Sequence, residues 1–225
     1  KDRMDEVSSH GYAWGYIGSC IPFIISLLLV LFYDKIGISM ELAMGGAFLL
    51  TAIWWVGMAF PLIAAYKQKN FTPAEKSPVS SGLKRLARIF SELKEKKKIL
   101  FFLIAFFFFI DGVYTIIDMA TAYGTALGLD TTGLLLALLL TQIVAFPAAL
   151  IFGRLSRKAP ASRLILICIG AYFCISLYGI ILSKQYQFWI LAVCVGIFQG
   201  AIQSLSRSYF ANIIPEDRSV EYFGI

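Results

Sequence analysis

Histidine is nearly missing from this 225-residue chain, with His10 its one example. A single imidazole cannot build a His-Glu-x-x-His zinc face and is thin material for Ser–His chemistry, so metalloenzyme and hydrolytic readings have little to stand on. Charge is scarce as well. Only 15% of residues are Asp, Glu, Lys or Arg, against roughly 25% in an ordinary soluble domain. These residues contain no Gly-x-x-x-x-Gly-Lys-Ser/Thr loop to cradle a triphosphate. The four cysteines, Cys20, Cys168, Cys174 and Cys194, form no Cys-x-x-Cys pair, and all fall inside apolar runs, where they read as buried packing residues. No enzymatic activity, bound metal or other cofactor is expected.

Hydrophobic residues make up 59% of the chain, and they are gathered into blocks. The net charge is +6, but the positive side chains sit in the loops between those blocks, which argues against a nucleic-acid surface. A bilayer core of ~30 Å needs about 20 helical residues. Six stretches reach that length, near 11–33, 42–65, 99–123, 132–153, 163–183 and 187–209. Inside lipid every backbone N–H and C=O must be satisfied within its own segment, so these stretches are expected to be helices. No alternating strands of the kind that build a membrane barrel are visible. The fold class is therefore all-α and polytopic.

Basic residues set the direction of insertion. The loops 34–41, 124–131 and 184–186 hold between them only Lys35 and Lys184. The intervening loops are basic: 66–98 runs from Lys67 to Lys98 through Lys84, Arg85, Arg88 and Lys94, and 154–162 carries Arg154, Arg157 and Lys158. This alternation puts both ends of the segment in the cytoplasm, with the plasma membrane as the expected location. Within 66–98, residues from Pro73 to Gly82 read as flexible. Leu83, Leu86, Phe90 and Leu93 then recur at helical spacing among basic side chains, a basic amphipathic helix suited to the inner leaflet.

Some polar residues fall where hydrocarbon should be. A mid-membrane charge costs at least about 2.5 kcal/mol on insertion scales. The third span carries Asp111 and Asp118 with Tyr114 between them on one face. Counting 1.5 Å per residue from each span end, Asp111, Gln142 and Gln199 fall at about the same depth, with Gln203, Ser206 and Arg207 following Gln199 on the sixth span. A shared polar pathway for a small solute, with a proton-linked step at Asp111, explains all of them together. Small residues mark close helix approaches: Gly11, Gly15 and Ser19 in the first span, Gly196 and Gly200 in the sixth. Pro22 permits a bend in the first span.

The chain also reads as part of something longer. It opens on Asp2-Arg3 and nears its end on Asp217-Arg218, each leading toward a helix. In a carrier built of two six-helix halves, one long basic linker joins helix 6 to helix 7. Here that linker follows the second span. The expected divisions are 1–66 as the last two helices of a first bundle, 67–98 as a cytoplasmic linker and 99–225 as the first four helices of a second.

Gly153-Arg154-Leu155-Ser156-Arg157-Lys158, between the fourth and fifth spans, resembles the Gly-x-Leu-x-Asp-Arg-x-Gly-Arg-Lys loop of the major facilitator superfamily, without its Asp. Three further segments, 2–16, 111–124 and 199–224, resemble the vacuole-effluxer branch of that superfamily, which includes autophagy-linked vacuolar amino-acid exporters and prokaryotic relatives. The resemblance implies a twelve-helix alternating-access carrier of which this chain supplies helices 5 to 10, with amino-acid export as one substrate class. Arg154, Arg157 and Lys158 would then latch a cytoplasmic gate beside Gly153. The expected partners are the lipid bilayer, a small solute, protons and the remaining helices. The alternatives are a complete six-helix channel and the membrane domain of an ATP-driven exporter.

Overall fold

The computed structural model describes residues 3–67, 78–216 and 218–224. These residues form α1 (Met4–Leu31), α2 (Tyr33–Ile36), α3 (Met40–Ala65), α4 (Pro78–Leu93), α5 (Lys97–Ala126), α6 (Thr131–Leu155), α7 (Ala161–Ile180), α8 (Gln185–Ile213) and α9 (Ser219–Phe223), with no strand among the described residues. Six of them, α1, α3, α5, α6, α7 and α8, are long and apolar enough to cross a membrane, and each overlaps one expected span. Most run past the expected ends, because helical hydrogen bonding continues where hydrophobicity stops. Ser39 caps α3 by accepting from the Leu42 amide at 3.3 Å, and Asp130 caps α6 by accepting from the Gly133 amide at 2.7 Å. α7 is shorter than expected and stops at Ile180. The turns after α2 and α5 use Gly37 at φ +78° and Gly128 at φ +74°, a region that a side chain would strain.

α8 is the most enclosed of the spanning helices and α3 the least. Two glycines explain how α8 fits. A Cβ on Gly196 would sit 2.7 Å from the Thr141 carbonyl oxygen, and one on Gly200 would sit 2.9 Å from that of Ala145. The expected small-residue face of α8 thus closes directly onto α6. Thr141 strengthens this seam by donating to the Ala192 carbonyl at 3.2 Å. Around it, Val113, Leu134, Cys168, Tyr172, Phe188 and Ile202 join α5, α6, α7 and α8 into one core. α1 packs on the same pair, with Ala13 and Tyr16 against Ala145 and Ala149. Farther along α1, Leu29 meets Gly46 and so supports α3, on the other side of Pro22.

Three expectations change. Gly11 and Gly15 pack against nothing, since a Cβ on either would find open space. The reason is that α1 turns this face toward a cleft. Of the cysteines, Cys20 and Cys168 are buried but Cys174 is exposed on the outer side of α7. The amphipathic helix expected in 66–98 is present as α4, but its apolar seam docks on protein instead of resting on lipid alone. Ile89 and Leu93 are buried against Ile99, Phe210, Ile214 and Tyr222, whereas Phe90 turns outward. Arg218 fastens this clasp, with its Nη1 2.6 Å from Glu92 and its Nε 2.8 Å from Glu221. Glu221 and then Glu92 push the guanidinium pKa above its ordinary value. Lys96 donates to the Tyr222 hydroxyl at 2.9 Å. Asp2 and Asp217, the 68–77 stretch with Pro73, and the side chains of Leu83 and Arg85 lie outside the described residues.

Candidate functional site

The seam between α1 and the α6–α8 pair changes character along its length. At the end where α1 begins, it is shut. Ser8 donates to the Ser204 carbonyl at 2.8 Å, Ser9 meets the Ser204 hydroxyl at 3.4 Å, and Ser208 donates to the Asp5 carboxylate. Gly153 lies against Ser9 so closely that a Cβ there would fall 2.6 Å from the serine Cβ. Beyond it, Arg157 Nη2 reaches Glu6 at 2.6 Å, and Arg3 flanks the same carboxylate at 3.6 Å. Two of the four expected gate residues, Gly153 and Arg157, therefore touch α1. Arg154 and Lys158 are exposed and make no such link among the described residues.

Within a turn of Ser9 along α1 the seam opens. A cleft of about 440 Å³ is lined by Gly11, Tyr12, Tyr16, Gln142, Gln203 and Arg207, among others. The Tyr16 hydroxyl donates to Gln203 Oε1 at 2.6 Å, and Gln199 lies beside that hydroxyl. Arg207 lies beside the hydroxyl of Tyr12. The Oε1 atoms of Gln142 and Gln199 are buried without a hydrogen-bond partner among the described residues. Buried polar atoms are paired in the great majority of cases, so two orphans in one neighbourhood mark a place for a polar guest or water.

The expected pathway residues divide into two groups. Gln142 and Gln203 line the cleft, and Gln199 lies beside the Tyr16 hydroxyl that donates to Gln203. Tyr114 is near enough to Tyr12 and Tyr16 to interact with both electrostatically. Asp111 and Asp118 do not join this group. Both are exposed on a face of α5 that no other described element covers, and neither lines the cleft. No three His, Cys, Asp or Glu side chains converge as metal ligands among the described residues.

Sequence reasoning passed over Tyr12, Tyr16, Ser8, Ser9, Asp5 and Glu6 as functional groups. The signal was available, because positions 5, 8, 9, 12, 16 and 19 lie three or four apart and put one polar stripe on α1. A run of small residues on that helix drew attention to packing instead.

A family model described as "Vacuole effluxer Atg22 like" matches residues 1–225. The chain is 38% identical over 224 residues to "Uncharacterized MFS-type transporter YxiO" of Bacillus subtilis, covering 99% of this chain and 52% of that protein. It is 24% identical to "Autophagy-related protein 22-2" of Aspergillus clavatus, covering 97% of this chain and 40% of that protein. It is 26% identical to "Autophagy-related protein 22" of Candida glabrata, covering 100% of this chain and 47% of that protein. The chain thus spans about half the length of these relatives, or less. No solved structure matches. The vacuole in the family description lends no support to the plasma-membrane location expected from sequence.

Proposed function

This chain belongs to the Atg22-like vacuole effluxer family, and on that premise we propose that it is the middle portion of an alternating-access carrier that moves a small solute across a membrane. The observation that supports this most strongly is the seam just described, which is shut from Asp5 to Ser9 and opens into a polar cleft from Gly11 onward. A barrier directly beneath a polar cavity is one end state of a carrier, and a second state must break the barrier. The contacts forming this barrier suit that task. They are hydroxyl and carboxylate hydrogen bonds, one ion pair and a glycine contact, all of which water can replace when α1 withdraws.

In this reading α1 and α3 belong to one bundle and α5 to α8 to the other, with α4 in the linker. Gln142, Gln199 and Gln203, with Tyr16, line the solute path. Tyr114 stands near Tyr12 and Tyr16 at the edge of that path, and Asp111 and Asp118 face the side that the remaining helices of the carrier cover. Gly153, Arg154, Arg157 and Lys158 form the gate loop, and the basic loops put the shut end of the seam in the cytoplasm. The solute class suggested by the family is amino acids. Proton coupling is assigned to Asp111, because a carboxylate inside a spanning helix is costly unless it has a task. Asp111→Asn would then abolish flux driven by a pH gradient while leaving solute exchange intact; pH-driven flux in that variant would remove the proton role.

Spin labels on Val7 and Leu155, both exposed at the shut end, test the carrier reading in the intact protein. Two distance populations whose ratio responds to solute are expected. One invariant distance under all solutes and pH values would rule out a seam that opens and closes.

A further inference from the structure

Arg207 stands out among the cleft residues. It lies inside the spanning helix α8, two turns beyond Gln199 and on the same side, and it lines the cleft beside the Tyr12 hydroxyl. Guanidinium is permanently charged, and this one, two residues short of the expected end of the sixth span, keeps its side chain exposed in the cleft. No carboxylate among the described residues pairs with Arg207. Asp5, two turns of α1 from Tyr12, is engaged by Ser208, and Glu6 by Arg157 and Arg3. Asp111 and Asp118, the acidic groups of α5, do not line the cleft. The cleft therefore holds one fixed positive charge and no lining carboxylate. It also offers the Tyr12 hydroxyl as a donor and, beside Tyr16, whose own hydroxyl proton goes to Gln203, the buried and unpartnered Oε1 of Gln199.

We infer that Arg207 is the specificity-determining residue of the cleft and that the solute it selects carries an anionic oxygen group, a carboxylate or a phosphate. This rests on the carrier reading for the word solute, but the binding step stands on the charge and geometry alone. The planar guanidinium fork matches two oxygens of such a group, and charge-assisted hydrogen bonds are about twice as strong as neutral ones. The Tyr12 hydroxyl, already beside the guanidinium, supplies a further donor. The orphaned Gln142 and Gln199 carbonyl oxygens accept from N–H or O–H groups at the solute's other end, fixing its orientation. A lone cation of this kind would bind a neutral or cationic solute poorly, because nothing would replace the water it loses.

The test uses the intact carrier in lipid nanodiscs and matched probe pairs: small carboxylates against their primary amides, and small phosphate monoesters against the corresponding free alcohols. Binding is read by tryptophan fluorescence, and exchange is read separately in proteoliposomes. Wild type is expected to bind the anionic member of at least one pair about tenfold or more tightly than its neutral mate. The arm that shows the preference identifies carboxylate or phosphate. Arg207→Gln should erase the preference, Arg207→Lys should keep part of it, and Tyr12→Phe should reduce it by a smaller factor. Size-exclusion profiles and unfolding temperature check that each variant is folded. If Arg207→Gln does not fold, the Lys and Phe variants still decide, since unchanged preference in both overturns the inference. No anionic preference in wild type, or a preference that survives Arg207→Gln in folded protein, also overturns it. Exchange of neutral solutes that Arg207→Gln leaves untouched would sink the inference while keeping the carrier. Arg207-dependent anion binding without exchange of any probe would do the reverse.

Discussion

The molecule has two joints at the same end of its helices, and they are built from opposite materials. One joins α1 to α6 and α8 through serines, a glycine, Asp5 and the Glu6–Arg157 pair. The other joins α4 to α9 and the ends of α5 and α8 through Ile89, Leu93, Ile99, Phe210, Ile214 and the fully buried Tyr222. Arg–Glu pairs decorate both, and both include the spacing of Arg3 to Glu6 and of Arg218 to Glu221. What differs is the material underneath. Apolar area must be re-exposed to open the second joint, at roughly 25 cal/mol per Å², so it is a permanent fixture. In the proposed carrier the stretch from Asp5 to Ser9 exposes mostly groups that water satisfies, so it would open at small net cost.

The contrast breaks most easily at Tyr222. Tyr222→Ala should destabilise the intact protein by about 3–5 kcal/mol, as removal of other large buried aromatics does, seen as a lowered unfolding temperature. It should leave the label distance between Val7 and Leu155 unchanged. Next in size is Gly153→Val, which forces a side chain into Ser9. Overpacking of this kind costs about 1–3 kcal/mol. Here it should appear as a lost short-distance population, because the seam can simply stay open, with unfolding temperature little affected. Arg218→Gln should lower the unfolding temperature less than Tyr222→Ala, since it unfastens the clasp without emptying its core. The smallest effect belongs to Glu6→Gln, whose ion partner Arg157 is exposed. It should change the closed fraction by less than about threefold, and added salt should erase the difference. Equal responses at the two joints would void the distinction between them.

Much of this was legible in the sequence because one rule dominated. Stretches of hydrocarbon length have to be helices in lipid, so all six spans could be placed before any contact was known. Gly196 and Gly200 were legible for the same local reason, since four-residue spacing puts both on one face and α6 fills it. Depth counting set Gln142 and Gln199 level, with Gln203 one turn on, because rise per residue is constant, and all three lie in or beside the cleft. Which face meets which partner was not legible. Gly11 and Gly15 have the same spacing as the α8 pair yet line a cleft, and Phe90 has the spacing of the seam yet turns out of it. Asp111 has the depth of the glutamines but sits on an uncovered side of α5. Rotation of a helix about its axis is fixed by distant neighbours, and no periodicity encodes those.

Pro22 gives the two halves of α1 separate allegiances. Up to Tyr16 the helix is gripped by α6 and α8, while Leu29, beyond the proline, supports α3. Proline withholds the amide that would bond the carbonyl four residues back, at Gly18, so the rod is weakest between its two attachments. A swing at that point carries α3 sideways like a door on a fixed jamb, without disturbing the serines at the foot. Pro22→Ala should stiffen it, narrowing the spread of label distances from α3 to α6 while the foot of the seam keeps its own.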